Sequence, residues 1–373
     1  MPEGETVCNR YHPSAVNGKR DIGGVSVVVC NYNGAEYIAD CLDSILIQEG
    51  FDEVLVVDNA STDESLKLVR ENYPTVRVLE MPENGGPCGA RNAGLRAANH
   101  RFVLAVDNDT VLRPDVLTKL RAALQAEPDA IIAQVRSVIH NDPQRIHYDG
   151  ANFHYVGLFS LRNFYSPLAK AEGRGVIEAQ GLIAMCVLMD RDPVLAAGGY
   201  DEDFFYLAED ADLSYRLRLL GHRLLIVEDA IVLHRGGTQG LSFRGGGYPQ
   251  RRAYLHSVNR WRMIAKCYSA RTLVCILPGL LLYELIWLLF VIMKGHFKQH
   301  VQGKIDFMRA RKIIMAQRRT IQGQRKVPDR ELLVGGPLTL SPSLVESPLT
   351  SFFAGALNTA LKLWWFVARP FCG

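Results

Sequence analysis

The sequence predicts an α/β fold in which a mostly parallel sheet precedes a helical C-terminal region that associates with a membrane. Short runs of β-branched residues alternate with amphipathic helical segments through residue 126. Polar clusters directly follow three of these runs, and an apolar stretch at 272–293 has basic residues on both sides. The alternation predicts right-handed crossovers between parallel strands, and such sheets bind ligands beyond the carboxyl ends of their strands.

The first strand is expected at residues 25–30, because a β-branched run of this kind is typical of a buried parallel strand. Residues 35–47 are expected to form a helix, since their apolar side chains recur on one helical face. Further strands are expected at 53–57, 76–79 and 101–106, and further helices at 89–99 and 114–126. Ser61, followed three residues later by Glu64, predicts a capping box for the helix after the second strand.

Beyond residue 131 the pattern changes to shorter strands and loops up to about residue 234. Residues 213–220 predict a helix that ends with Gly221 at its C-terminal cap. We therefore expect four regions: a flexible leader (1–23), a catalytic domain (24–240), a basic and apolar helical region that associates with a membrane (241–330), and a linker with an aromatic amphipathic helix (331–373).

Composition excludes several classes of protein. The 373 residues carry 42 lysines and arginines against 39 aspartates and glutamates, a balance that argues against a nucleic-acid-binding chain. The eight cysteines form no CxxC pair and fit no zinc spacing, which indicates a reducing compartment without a disulfide framework. Residues 1–21 lack the apolar core of a signal peptide, so we expect the catalytic part on the cytoplasmic side.

A metal-binding pattern follows the strand at 101–106. Asp107, Asn108 and Asp109 place two carboxylates on one turn, where they can hold Mg²⁺ or Mn²⁺. Such an ion would bridge the phosphates of a donor and neutralise a leaving nucleoside diphosphate. The alternative is a solvated turn with Asp and Asn at ordinary turn positions. His234, after a second apolar run, is a candidate third ligand, although a histidine at a strand end is more often structural.

Three further segments are candidates for donor binding. Asn31, Tyr32 and Asn33 follow the first strand, and Asp58 ends the second, where its carboxylate can accept hydrogen bonds from a nucleobase or a ribose. The alternative for Asp58 is an Asx-turn or a helix cap, a role that Ser61 or Asp63 could fill instead. Asn84 and Gly85 open a glycine-rich entry into a helix that carries Arg91; the backbone there permits close approach of an anion, although a tight loop alone also explains it.

The candidate catalytic pair is Glu209 and Asp210, which lie just ahead of the helix predicted at 213–220. A carboxylate is needed to take the proton from an acceptor hydroxyl, and we assign that role to Asp210, with Glu209 positioning the acceptor. The alternative is a pair of acidic residues placed at a helix N-terminus because the macrodipole favours them there.

The order of these motifs resembles family 2 glycosyltransferases, most closely rhamnosyltransferase-type enzymes of bacterial cell-surface polysaccharide assembly. The matching segments are CNYN at 30–33, VDNASTD at 57–63, NGGPCGARNAG at 84–94, DND at 107–109, and GGYDEDFF at 198–205 with EDADL at 209–213 and Arg216. The resemblance covers about residues 24–240. It departs at Asn31, where the family often has threonine.

The resemblance implies a glycosyltransferase-A fold with a Rossmann-like sheet, dependence on a metal, and inversion at the anomeric carbon. It also implies donor contacts at Asp58 and Asp109, a base at Asp210 and a metal ligand at His234. The expected donor is a nucleotide sugar linked to dTDP, UDP or GDP, with dTDP-rhamnose first. The expected reaction transfers the sugar to an acceptor hydroxyl in the synthesis of a polysaccharide or another glycan of the cell envelope.

The C-terminal third predicts attachment to the cytoplasmic face of a membrane, either on its surface or through one span. Residues 272–293 are long and apolar enough to cross a bilayer, but Pro278 interrupts a helix and Glu284 is costly at the bilayer centre. Basic residues on both flanks favour a re-entrant or interfacial helix pair over one span; a buried core helix is the third interpretation. A basic helix at 304–325 and an aromatic one at 352–371 suit anionic lipid headgroups, and the expected acceptor is a lipid-linked saccharide.

Two other functions fit parts of the pattern. A nucleotidyltransferase also combines an α/β sheet with metal-binding carboxylates, but it would need basic residues after the first strand, where this chain has none. A membrane-tethered protein that binds nucleotide sugars without catalysis would not need both Asp109 and Asp210. A dehydrogenase is disfavoured because no GxGxxG follows the first strand.

Overall fold

The computed structural model describes residues 20–171, 175–236, 247–341 and 347–373. The strands are β1 Val25–Asn31, β2 Glu53–Asp58, β3 Arg77–Glu80, β4 Phe102–Asp107, β5 Thr110–Leu112, β6 Ala130–Ile139, β7 Asp142–Tyr148, β8 Ala151–His154, β9 Leu158–Leu161, β10 Val176–Ala179, β11 Cys186–Asp190, β12 Arg223–His234 and β13 Leu333–Val334. The helices are α1 Ile38–Leu46, α2 Ser65–Asn72, α3 Gly86–Ala97, α4 Val116–Ala126, α5 Arg191–Ala196, α6 Glu209–Leu219, α7 Gln250–Cys267, α8 Ala270–Met293, α9 Phe297–Arg309, α10 Arg311–Gly323, α11 Asp329–Leu332 and α12 Pro348–Ala368.

The central sheet has the order β10-β12-β6-β11-β4-β1-β2-β3. Its first half, from β4 to β3, is parallel, and β1 lies between β2 and β4 with nearly every residue buried. In this register Asn31 lies opposite Asp58, and Cys30 lies opposite Asp107. The carboxyl ends of β1, β2 and β4 therefore meet at one edge, as predicted, and the α/β class with a mostly parallel central sheet is confirmed.

The second half of the sheet brings His234 to the same edge. β11 runs antiparallel between β4 and β6, and β12 runs parallel to β6 with an irregularity between Val227 and Ile231. The end of β12 pairs with β5, so that His234 lies opposite Thr110, the residue that follows Asp109. Strand pairing thereby brings together His234 and Thr110, which are more than a hundred residues apart in the sequence.

The C-terminal helices share a hydrophobic core with the sheet. One cluster of buried residues continues from Val28 and Leu55 in the sheet through Leu213 in α6 and Ile264 in α7 to Trp365 in α12. The boundary expected at residue 240 lies outside the described residues, and the helices beyond it are packed on the α/β body.

Several predicted boundaries differ from the structure. Residues 1–19 of the expected leader lie outside the described residues, but Arg20 bonds to the Ala130 carbonyl and Ile22 is buried, so the α/β body begins before residue 24. The expected linker is likewise packed in part, because β13 pairs with β8 and the Ser160 hydroxyl donates to the Pro337 carbonyl. Residues 342–346 of that linker are outside the described part.

Two helices also begin at residues other than those predicted. The Ser61–Glu64 capping box is wrong: α2 begins at Ser65, and the Ser61 hydroxyl accepts from the backbone of Asn33 instead. α6 begins at Glu209 rather than after Asp210, whereas Gly221, with φ of +85°, follows its end as predicted.

Two corrections concern the C-terminal third. α8 continues through Pro278 without interruption, so the expected break is wrong. The single basic helix expected at 304–325 is divided at Ala310 between α9 and α10.

Candidate active site

The polar edge begins with a hydrogen-bonded chain across three strand ends. The Asn31 side chain donates to Asp58 Oδ1 at 2.9 Å, and its own Oδ1 accepts from Asn108 at 2.7 Å. Asp58 is buried, and its second oxygen accepts from the Ser61 backbone N–H at 3.0 Å. Asp63 fills the turn role expected of it by accepting from the Ser65 N–H at 3.1 Å, but Asp58 accepts from its own turn as well.

The glycine-rich entry of α3 lies beside this chain. Asn59 donates to Asn84 Oδ1 at 3.0 Å, and its own oxygen accepts from the Gly85 N–H at 3.0 Å. Gly86 has φ of +67°, and a Cβ there would lie 2.5 Å from the Phe205 carbonyl oxygen. The glycine is therefore required both by backbone conformation and by close approach of the loop before α6.

Three candidate metal ligands converge. One ligand atom from each of Asp107, Asp109 and His234 lies within 4.8 Å of the others. Asp109 Oδ1 is 3.4 Å from His234 Nε2, and its Oδ2 accepts from the Gly236 N–H at 2.9 Å. Two carboxylates and an imidazole form a donor set that fits Mn²⁺ or Mg²⁺.

The electrostatics of Asp109 favour its ionised form. Burial works to raise the pKa of Asp109, but the charge and hydrogen bond of His234 outweigh burial and hold that pKa below its usual range. The other imidazole nitrogen of His234 lies 3.0 Å from His147 Nδ1 on β7. His147 thus contacts the His234 ring on the side away from Asp109 and holds it in place. Nothing in the sequence around His147 indicated that role.

Arg91 connects the metal side of the site to the candidate catalytic pair. Its guanidinium is 5% exposed and donates to both oxygens of Asp107, at 2.8 and 3.2 Å. Its other terminal nitrogen lies 3.8 Å from Glu209 and 3.7 Å from Asp210. We expected Arg91 to meet the donor; in the structure it lies between three carboxylates.

Glu209 and Asp210 occupy the first turn of α6, where Glu209 is buried and Asp210 is half-buried. Asp210 Oδ2 accepts from the Ala184 N–H at 3.1 Å, whereas Oδ1 makes no hydrogen bond within the described chain. Burial, reinforced by Asp210, raises the pKa of Glu209 to about 8. Burial also raises the pKa of Asp210, although Arg91 opposes it.

The predicted residues thus surround one site. Asp58 connects through Asn31 to Asn108, while Asp107 connects through Arg91 to Asp210. Tyr32 is 45% exposed at the rim, and Asn33 uses its oxygen to accept from the Thr62 N–H. Sequence reasoning missed the buried Lys266 on α7, which lies 2.8 Å from Asp212 of α6, because we counted it among the basic residues flanking the apolar stretch.

Known proteins resemble this chain in both sequence and fold. Residues 26–194 match the family model described as glycosyl transferase family 2. The succinoglycan biosynthesis protein ExoO of Rhizobium meliloti is 40% identical over 111 residues, which are 29% of this chain and 31% of that protein. The amylovoran biosynthesis glycosyltransferase AmsE of Erwinia amylovora is 23% identical over 227 residues, 59% of this chain and 79% of AmsE.

A solved structure shares the fold. The crystal structure of GalNAc-T7 with UDP, GalNAc and Mn²⁺ superposes with a TM-score of 0.53 at 16% identity, over 68% of this chain and 49% of that one. The chain therefore spans about a third of ExoO and about half of the GalNAc-T7 structure. Residues 26–194 thus match glycosyl transferase family 2, and the α/β fold shared with the GalNAc-T7 structure agrees with that match.

Proposed function

We propose that this chain transfers a sugar from a nucleotide-diphosphate sugar to an acceptor hydroxyl, with inversion and with dependence on a divalent metal. The observation that carries the proposal is the arrangement around Arg91. A metal-type donor set lies on one side of its guanidinium, and a buried carboxylate pair lies on the other. A reaction that separates a diphosphate from a sugar while deprotonating a hydroxyl needs both halves within one site.

The metal half is supported by the chemistry of its side chains. Asp107, Asp109 and His234 would hold Mg²⁺ or Mn²⁺, and such an ion would supply charge neutralisation for the leaving nucleoside diphosphate. We propose that Asn31, Tyr32, Asn33, Asp58, Asn84, Gly85 and Asn108 contact the donor nucleotide, because their backbone and side-chain groups surround the same strand ends.

The base half assigns Asp210 as the proton acceptor. One oxygen of Asp210 is anchored by the Ala184 N–H, whereas Oδ1 has no hydrogen-bond partner within the described residues, and we assign Oδ1 to receive the acceptor proton. The acceptor oxygen then bonds to the anomeric carbon as the bond from that carbon to the diphosphate breaks, and a single displacement inverts the configuration. Glu209, whose pKa is raised to about 8, is protonated near neutral pH and can donate a hydrogen bond to the acceptor.

The names of ExoO and AmsE support an acceptor in polysaccharide synthesis. For the sugar we propose rhamnose from dTDP-rhamnose, with UDP- and GDP-linked hexoses as the other donors to examine.

The first experiment is a screen of nucleotide sugars for a rise in melting temperature with Mn²⁺ or Mg²⁺ present, followed by measurement of nucleoside diphosphate release. Asp210→Asn should bind the donor and the metal but release no nucleoside diphosphate when acceptor is present. Asp109→Ala should lose the metal-dependent rise in melting temperature. An active Asp210→Asn variant would place the base elsewhere. Binding without turnover in the unmodified protein would favour a nucleotide-sugar binding function.

We propose further that the C-terminal helices rest on the cytoplasmic surface of a membrane. α8 is long and apolar enough to span a bilayer, at about 36 Å. It exposes one apolar face, formed by Val274, Leu277, Leu281, Leu285, Leu289 and Ile292. α9 and α12, which both contact α8, expose Val301, Ile305, Met308, Phe352, Phe353 and Phe366. Basic residues such as Lys294, Lys298 and Arg309 border these surfaces and suit anionic headgroups.

The opposite face of α8 supports surface attachment rather than a span. It contacts the rest of the protein along its length: Gly279 lies against the Tyr155 hydroxyl, Tyr283 bonds His256 at 3.1 Å, and Trp287 bonds Ser257 at 3.3 Å. Glu284 is paired with Lys304 at 2.8 Å and with Arg260. A span in this position would carry these polar partners into hydrocarbon, whereas a helix lying flat keeps them on the protein side.

Flotation with vesicles tests the attachment. The protein should bind vesicles that contain phosphatidylserine, and the double variant Leu281→Glu with Leu285→Glu should bind them much less. Resistance to extraction by alkaline carbonate would instead indicate a span. A lipid-linked saccharide acceptor is the substrate that an enzyme at this surface would meet, and turnover with a polyprenyl-diphosphate saccharide in such vesicles would support it.

A further inference from the structure

The loop immediately before the candidate catalytic pair has an unusual backbone. Phe205, Leu207 and Ala208 have φ of +57°, +73° and +74°, although none of them is glycine. Residues with side chains rarely adopt this region, and they remain there only when surrounding contacts enforce it. Ala208 is the N-terminal cap of α6, so the course of this loop sets where Glu209 and Asp210 begin.

One side chain from the C-terminal region holds this loop. Asn259 of α7 is 1% exposed, and its amide nitrogen donates to the carbonyl oxygens of Phe204, Tyr206 and Leu207, each at 2.9 Å. A single buried amide therefore pairs with three carbonyls of one four-residue segment. Carbonyls removed from water without a donor are costly, and the two amide hydrogens of Asn259 are shared among these three acceptors.

Neighbouring side chains of α7 fix the same segment on either side. Arg262 donates to the Asp203 carbonyl, and Lys266 pairs with Asp201 before the loop and with Asp212 after it, the latter at 2.8 Å. The loop also abuts the donor side, because Phe205 approaches Gly86. Side chains of α7 thus hold residues 201–212 in place.

We propose that Asn259 is a positioning residue for the reaction: it holds the left-handed loop so that Glu209 and Asp210 face Arg91. The inference rests on the proposed function, since it gives Asp210 the role of base. Asn259 contacts none of the metal-type ligands, which are delivered by β4 and β12 and by the turn before β5. Loss of its amide should therefore disturb the base half while the metal half stays intact.

The test compares Asn259→Leu, which keeps the size but removes the donors, with Ser257→Ala on the same helix. Ser257 is also buried, but it bonds His300 and Trp287 on the side of α8 and α9. The donor is the nucleotide sugar with the fastest diphosphate release in the screen, and the full chain is used throughout. A displacement of catalytic groups by about 1 Å can cost roughly 100-fold in rate, so we expect kcat of Asn259→Leu to fall about 10- to 100-fold.

Two further measurements separate positioning from a general loss of structure. The rise in melting temperature caused by Mn²⁺ should match that of the unmodified protein. The acidic limb of kcat against pH should move to lower pH, because a loosened loop admits water to Asp210. Ser257→Ala should change neither kcat nor the limb. If Asn259→Leu does not fold, Asn259→Ala leaves space for water and carries the same expectations.

The inference is overturned if both Asn259 variants keep kcat within about 2-fold of Ser257→Ala and an unmoved acidic limb while Asp210→Asn is inactive. Failure of the proposed function looks different: Asp210→Asn would then stay active, and the positioning role would fall with the base assignment.

Discussion

Replacement of Arg91 by glutamine should be among the most damaging single changes near the site. Arg91 is buried and forms two charge-assisted hydrogen bonds with Asp107, at 2.8 and 3.2 Å. Each such bond contributes about 1.5–3 kcal/mol. Removal of one member of a fully buried ion pair costs about 3–5 kcal/mol, because its partner keeps an uncompensated charge. The Asp107 side chain is 29% exposed, so we expect Arg91→Gln to lower the free energy of unfolding by about 3 kcal/mol, at the lower end of that range.

The matched control is Arg96→Gln on the same helix. The Arg96 side chain is 60% exposed and lies 3.7 Å from Glu202, so its loss should change stability by at most about 1 kcal/mol. Urea unfolding of both variants measures the difference. Mn²⁺ should restore part of the stability of Arg91→Gln, since a cation beside Asp107 replaces some of the lost charge. An Arg91→Gln variant within 1 kcal/mol of the unmodified protein would refute the view that Arg91 holds the carboxylates together.

Three more predictions follow from buried charges. The pKa of Glu209 is raised to about 8 in the folded protein, so the folded state holds a proton that the unfolded chain releases near the ordinary pKa of glutamate. The free energy of unfolding should therefore fall as pH rises from about 5 to 8. Melting temperatures measured across this range should fall less steeply for Glu209→Gln than for the unmodified protein. Lys266→Met should lower the free energy of unfolding by about 1.5–3 kcal/mol, because Asp212 loses one of its two cationic partners and keeps Arg216 at 2.8 Å, whereas Lys298→Met, at an exposed position of α9, should leave urea unfolding unchanged. Asp109→Asn should abolish the Mn²⁺-dependent rise in melting temperature, and an equal rise in this variant would exclude Asp109 as a ligand.

Local pattern was sufficient to predict half of the fold and much of the site. The β-branched runs identified β1, β2 and β4, and the position of Asn31, Asp58 and Asp107 at their ends followed from parallel pairing. These positions depend only on neighbouring residues and on the direction of the strands. His234 was a candidate ligand both from its position after an apolar run and from the family resemblance, and its place beside Asp109 depends on the pairing of β12 with β5.

Other features depend on contacts between distant segments, which a single sequence does not display. The early start of α6 requires Ala208 in a left-handed conformation, which its residue type disfavours and which Asn259 imposes from fifty residues away. Arg91 was expected to face the donor because nothing local indicated three carboxylates around it. The burial of Lys266 was not predicted for the same reason, because the basic residues around it in the sequence resemble those of a segment that faces a membrane.

Helix α7 has consequences for how this protein can be divided or recombined. Two consecutive residues serve opposite sides of it: Asn259 bonds the loop before α6, and Arg260 pairs with Glu284 of α8. A shortened chain ending near residue 240 would lose the support of its own active-site loop and uncover apolar side chains of the sheet. Chimeras that exchange the helices after α7 between relatives should therefore be joined after Cys267, so that α7 stays with the loop that it supports.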